Sequence, residues 1–406
     1  MSHPANALSR RRFLAGASGG LVAVVLAACG FERASVGSSS ASLNPIPTPS
    51  PTQTPEPSAT PGPSLRDRIG QMLLVGFRGL TVDEASEIAG DIRDLNLGGI
   101  LLFDSDQPTH SKVRNVASPT QLTDLVSGLQ ALAMTPLLVA IDEEGGLVAR
   151  LDQRHGFPPT ESAADLGARG DVDYTQAAGK KIAQTLASVG VNLNLAPVVD
   201  LNVNPTNPII GSLGRSFSAD PAVVTAQAEA FIKGHRGVSV QTTLKHFPGH
   251  GSSTGDTHLG VVDVTATWSD VELEPFANVV HDGLTDAVLT AHVFNATLDP
   301  DHPATLSQPT ITGILRDRIG WDGLVLSDDM QMGAIRQAYG YADALRLAIL
   351  AGIDVLTIAQ QQVYEEGIVG HTIDLIAGMV ADGSIPETRI DESYARIMAL
   401  KTRLAD

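Results

Sequence analysis

The sequence predicts an α/β fold, a (β/α)8 TIM-like barrel forming one catalytic domain, on three observations. Short apolar runs of β type alternate with segments of helical period from Leu65 onward, which points to repeated β/α units and a parallel sheet. Eight such runs can be counted, the number that closes a barrel. Asp142, Lys245, His246, His292 and Asp328 each fall at or just past the carboxyl end of a run, the face on which barrel enzymes build their sites. An open doubly wound sheet collects ligands only near a switch point, and seldom from so many strands.

The elements follow in order. Met72 to Phe77 is the first apolar run, and Val82 to Leu95 the helical segment after it. Gly99 to Phe103 leads to Pro119 to Ala133, and Leu137 to Asp142 leads to Tyr174 to Val189. Val191 to Pro197 precedes Ala222 to His235, and Thr242 to Phe247 precedes Asp270 to His281. Ala287 to His292 is followed by Gln308 to Ile319, Leu324 to Asp328 by Tyr341 to Ala351, and Asp354 to Ile358 by a last stretch after Gln361.

The barrel is assigned to residues 65–406; what precedes it reads as an address and a tether. Residues 1–29 are expected to be a twin-arginine lipoprotein signal: Ser9-Arg10-Arg11-Arg12-Phe13-Leu14 has the paired arginines, and the apolar run Leu21 to Ala28 is too short to cross a bilayer by itself. Leu26-Ala27-Ala28-Cys29 looks like a lipobox, in which cleavage leaves Cys29 as a diacylated amino terminus. An ordinary secretory signal with an incidental cysteine is the alternative. Cys29 is the only cysteine of the 406 residues, which excludes an internal disulfide. Residues 30–64 are rich in Ser, Pro and Thr and cannot bury enough apolar surface to offset their ordering entropy. At about 3.1 Å per residue they would hold the domain up to roughly 100 Å from the membrane. The expectation is an exported monomer, lipid-anchored through Cys29 to the outer face of the cell membrane. A net charge of -18 repels phosphate backbones and argues against a nucleic-acid partner.

The chemistry concentrates in Lys245-His246-Phe247-Pro248-Gly249-His250-Gly251 and the Asp256-Thr257-His258 that follows. Gly249, Gly251 and Gly255 with Ser252, Ser253 and Thr254 have the composition of a segment that closes over substrate and reopens. In extended backbone Asp256 and His258 lie on one side, so the carboxylate can orient the imidazole. A histidine so held can give a proton to a leaving oxygen and later take one from water. At Ser327-Asp328-Asp329, strand alternation lets only one carboxylate face the barrel mouth, where it could attack an anomeric carbon or stabilise an oxocarbenium ion. The alternative is that these residues cap the next helix. Asp142-Glu143-Glu144-Gly145-Gly146 offers acceptors and a glycine turn suited to a sugar, and Arg215 and Arg150 are donor forks that could grip it, or else surface ion pairs. His246, His250, Asp256 and His258 are possible metal ligands. No close ligand pair sits on a rigid element, however, so neither metal nor other cofactor is expected.

These motifs, with Ala140-Ile141-Asp142-Glu143-Glu144-Gly145-Gly146, Asn192-Leu193-Asn194-Leu195-Ala196-Pro197-Val198-Val199-Asp200 and Gly214-Arg215-Ser216-Phe217, resemble the β-N-acetylglucosaminidases of glycoside hydrolase family 3. The resemblance implies retaining, metal-independent hydrolysis of terminal β-linked N-acetylglucosamine, and the export signal and anchor point to peptidoglycan-derived or chitin-type oligosaccharides outside the membrane as its source. By the match Asp328 is the nucleophile and His258 the general acid/base assisted by Asp256. Asp142, Arg215, Lys245 and His246 correspond to residues that hold sugar hydroxyls. An imidazole repels an incoming anion less than a glutamate would, so a phosphorylase is one alternative. A metal-dependent barrel hydrolase is another. A sugar-binding lipoprotein is a third, though receptors stack sugars on aromatics and this chain has only 4%.

Overall fold

The computed structural model describes residues 62–404. The twin-arginine segment, Cys29 and the tether up to residue 61 lie outside the described residues. A helix that the periodicity did not single out, Leu65–Gln71, opens the domain. The Ser64 hydroxyl accepts from the Asp67 N–H, and the Asp67 carboxylate accepts from the Ser64 N–H. Two helix-end donors are thereby satisfied, and the Ser-x-x-Asp spacing that does it is visible in the sequence.

Eight parallel strands follow: β1 (Leu73–Gly76), β2 (Gly99–Leu102), β3 (Leu138–Ile141), β4 (Leu193–Asn194), β5 (Gln241–Phe247), β6 (Ala287–Thr290), β7 (Leu324–Leu326) and β8 (Leu356–Ile358). Each pairs with its neighbour in sequence, as in the register Leu74 to Gly99, Gly99 to Leu138, Ala140 to Leu193 and Thr243 to Ala287. β8 returns to β1, and a parallel bridge between Leu326 and Val355 joins β7 to β8. The ring is therefore closed, and the fold is the (β/α)8 barrel. Strands covered on both faces must be apolar throughout, which is why Leu73, Ile100, Val139, Ala140, Val288 and Val325 are all inaccessible to solvent.

Two expected elements contract. The helical segment Val82 to Leu95 begins only at Ser86, because Thr81–Ala85 form a turn in which Glu84 accepts from the Leu80 N–H. The run Val191 to Pro197 keeps ladder pairing only at Leu193–Asn194. Here two side chains add to the backbone bonds that Asn192 and Leu195 make to Val139 and Ile141. Asn192 accepts from the Val139 N–H at 2.8 Å and donates to the Leu137 carbonyl at 2.9 Å, and Asn194 does the same for both backbone groups of Glu143 at 3.1 and 3.0 Å. Asn192 thus pins the start of β3 and Asn194 its end, from which Asp142, Glu143 and Glu144 project. The expected helix Gln308 to Ile319 is a π-helix over Pro309–Arg318.

Candidate active site

At the carboxyl ends of the strands lies a cavity of about 360 Å³. The fold brings all eight predicted site residues to its wall. Asp142 comes from the end of β3, Arg150 from the hairpin beyond it and Arg215 from the loop after β4. Lys245 and His246 come from β5, Asp256 and His258 from the loop after β5, and Asp328 from the end of β7.

The floor is a buried ion network. The Lys245 ammonium reaches Asp142 at 2.6 Å and Glu144 at 2.7 Å. Arg215 donates twice to Glu144, at 2.8 and 2.7 Å, and once to the Ile209 carbonyl at 2.8 Å. Its fork, read from the sequence as free to grip a ligand, is thus largely spent on Glu144, in an ion pair that is buried rather than on the surface. Arg150 spans Asp142 at 3.5 Å and Asp104 at 3.8 Å. Burial opposes ionisation of Asp142, but Lys245 and Arg150 outweigh it and hold the carboxyl well below the usual range. Burial opposes Glu144 too, and Arg215 with Lys245 brings it down to about 2. Burial prevails at Glu143, raising it to about 8, and its carboxylate accepts the Arg150 and Leu151 N–H groups at 2.9 Å each, which shapes the hairpin carrying Arg150.

Asp200, to which the sequence reading gave no role, organises the next layer. Wholly buried, it accepts from His246 Nδ1 at 2.6 Å, from the His246 N–H at 3.2 Å and from the His250 N–H at 2.7 Å. Burial works against its charge, yet His246 and the other donors around it hold the carboxyl below the usual range. An ionised carboxylate only accepts, so the Nδ1 proton is fixed and His246 turns Nε2 toward Arg215, 3.3 Å away. The signal was present: Asp200 ends an apolar run just as Asp142 and Asp328 do. Glu144 and Asp104 were likewise given no separate role.

The loop after β5 is less open than its glycines and serines suggest. Gly251, Ser252 and Ser253 are buried, and a side chain on Gly251 would meet the Leu201 carbonyl at 1.8 Å. Composition predicts backbone freedom, but here the small residues serve close packing. Buried Glu272, pushed up to about 7 by burial, accepts the Gly251 and Ser252 N–H groups at 3.1 and 3.3 Å. Asp256 and His258 do meet, though in a turn rather than in extended chain. The Asp256 carboxylate accepts from the His258 N–H at 2.9 Å and from Nδ1 at 2.6 Å, which leaves Nε2 as the ring nitrogen facing away from it. His258 is half exposed.

The two adjacent carboxylates after β7 divide as strand alternation requires. Buried Asp329 accepts the Gln331 and Ala359 N–H groups at 3.1 and 3.0 Å, and burial raises it to about 6. Among the described residues Asp328 accepts only from its neighbour's N–H, at 2.8 Å, and it is partly exposed. Burial resists its ionisation, but the imidazoles His292, His246 and His258 hold it below the usual carboxylate range. Neither caps the next helix, Gly333–Arg336, whose N-cap is Met332. His292 is a brace, with Nδ1 on the Thr305 hydroxyl at 2.8 Å and Nε2 donating to the Asp329 carbonyl at 2.9 Å. Among the described residues, no three His, Cys, Asp or Glu side chains are grouped to hold a metal ion.

Residues 64–400 match the model of the glycosyl hydrolase family 3 N terminal domain. The chain belongs to glycosyl hydrolase family 3. Among relatives of this family 3 chain, the β-hexosaminidase of Xylella fastidiosa strain M23 is 36% identical, over 73% of this chain and 86% of its own length. β-Hexosaminidase A of Pseudoalteromonas piscicida is 30% identical, over 83% of this chain. A family 3 β-N-acetylglucosaminidase of Paenibacillus sp. str. FPU-7 superposes with a TM-score of 0.77 at 34% identity, over 85% of this chain. The chain spans 60% of the Pseudoalteromonas protein and 63% of the Paenibacillus one.

Proposed function

We propose that this family 3 protein is a retaining exo-β-N-acetylhexosaminidase that releases terminal β-linked N-acetylglucosamine from peptidoglycan-derived or chitin-type oligosaccharides. One observation carries the reading: a single cavity holds an ionised carboxylate with little to bond to, Asp328, and an imidazole clamped by a carboxylate, His258 on Asp256. Asp328 attacks the anomeric carbon while His258 Nε2 delivers a proton to the departing oxygen. The same imidazole then takes a proton from water, which attacks the glycosyl-aspartate. Two inversions return the original configuration. Asp256 keeps the other imidazole proton on Nδ1, so that Nε2 is the nitrogen that cycles. Asp142, ionised beside Lys245 and Arg150, is an acceptor for sugar hydroxyls, and Lys245, Arg150, Arg215 and His246 surround the same ring.

The β-hexosaminidase activity named for the relatives supports this reading. The test is to trap the enzyme with a fluorinated N-acetylglucosaminide and map the modified peptide. Label on Asp328 supports the proposal, and full turnover by Asp328→Asn sinks it. We propose further that the protein is exported as a monomer and anchored by lipid at Cys29. Incorporation of labelled fatty acid that is lost in Cys29→Ser tests the anchor.

A further inference from the structure

We infer that the position of the His258 imidazole is set from the neighbouring β/α unit, by a latch of Gly333, Ala334 and Gln337 that makes Gln337 a positioning residue for proton transfer. The inference rests on the reading of His258 as the proton donor.

Three consecutive carbonyls of the turn are held by the loop after β7. The Ala334 N–H donates to the Thr257 carbonyl at 3.2 Å, the Gly333 N–H to the His258 carbonyl at 3.2 Å, and the Gln337 side-chain amide to the Leu259 carbonyl at 3.0 Å. The first N–H groups of the helix Gly333–Arg336 have no partner within the helix, and among the described residues no side chain caps them. The turn bearing the imidazole supplies those acceptors. Contact is so close that a Cβ on Gly333 would lie 2.7 Å from the His258 carbonyl oxygen and 2.9 Å from the Leu259 carbonyl carbon. The loop that latches the turn also begins with Asp328, so one backbone segment carries the carboxylate and fixes the imidazole relative to it.

The other end of the loop is secured differently. Its stem is buried and tied by Asp200, Glu272 and the Asn204 amide, which donates to the Ser253 carbonyl at 2.8 Å. At the tip Thr257 is buried, but His258 is half exposed and Leu259 largely exposed, so little apolar burial fixes the imidazole. Asp256 orients the ring within the turn, hydrogen bonds to the latch hold the turn itself, and Gln337 supplies the one made by an exposed side chain. A general acid must come within about 3 Å of the oxygen it protonates, and a displacement near 1 Å can cost on the order of a hundredfold in rate.

The test compares Gln337→Ala and Gly333→Ala with His258→Ala, reading kcat/KM on two aryl N-acetylglucosaminides, one with a poor leaving group and one with a good leaving group that departs without protonation. Gln337→Ala should lose about tenfold on the poor leaving group and little on the good one, with an unchanged melting temperature. Gly333→Ala should lose more in the same pattern. A Gln337→Ala enzyme that matches the parent on both substrates, or loses equally on both, overturns the latch. If His258→Ala itself shows no leaving-group dependence, the proton-donor reading fails, whatever Gln337 does.

Discussion

Lys245→Met tests the ion network beneath the site. The ammonium is buried and touches two carboxylates, Asp142 at 2.6 Å and Glu144 at 2.7 Å. Methionine keeps the volume and removes the charge, leaving Arg215 and the more distant Arg150 to answer both anions. Breaking a buried pair by deleting one partner costs about 3–5 kcal/mol. The direction at Glu144 agrees: burial opposes its charge, and Arg215 first and Lys245 second hold its carboxyl well below the usual range. The expected loss at pH 7 is therefore about 3 kcal/mol, or a drop in Tm of about 4 °C for a domain of this size. The sign with pH follows from the carboxyls. Their folded values lie below the unfolded ones, so the stabilisation is complete above about pH 4.5 and fades as pH falls toward the folded values. Urea midpoints of parent and variant at pH 7 and pH 3.5 give the test. The gap should be wide at pH 7 and narrower at pH 3.5, and equal midpoints at pH 7 would refute the argument.

Asp200→Asn removes the anionic acceptor that fixes the Nδ1 proton of His246, and kcat should fall by roughly a hundredfold through misplacement of a ring that lines the cavity, as steady-state kinetics would read. Lys401, buried with its amine donating to Gln71 and the Gly98 carbonyl at 2.6 and 2.7 Å, is lowered by burial to about 7. Between about pH 7 and 10.5 the unfolded chain binds the extra proton, so stability should rise with pH across that window. Lys401→Met should flatten that rise, and parallel urea midpoints for the two proteins at pH 6.5 and 9 would contradict it. In phosphate buffer the main product should be the free sugar; predominance of the sugar 1-phosphate would reassign the reaction to phosphorolysis.

Much of the barrel was legible in the chain, because strands buried on both faces must be apolar and helices must show a 3.6-residue period. Asp142, Lys245 and Asp328 could be found for a related reason: polar residues closing apolar runs conflict with the core unless they stand at its open end. Sequence spacing also paired Asp256 with His258, since their contact is local.

Tertiary structure decided what depends on distance between units. That Glu144 consumes the Arg215 fork, that Asp200 sets the His246 tautomer and that Asp329 braces loops while Asp328 stays available all follow from contacts across strands, which no local pattern encodes. The loop after β5 makes the contrast plain. Its glycines and serines suit a mobile segment, and the same small side chains also allow a stem packed hard against Leu201 and Glu272. Composition states which conformations a backbone can reach; only the neighbours brought by barrel closure select one.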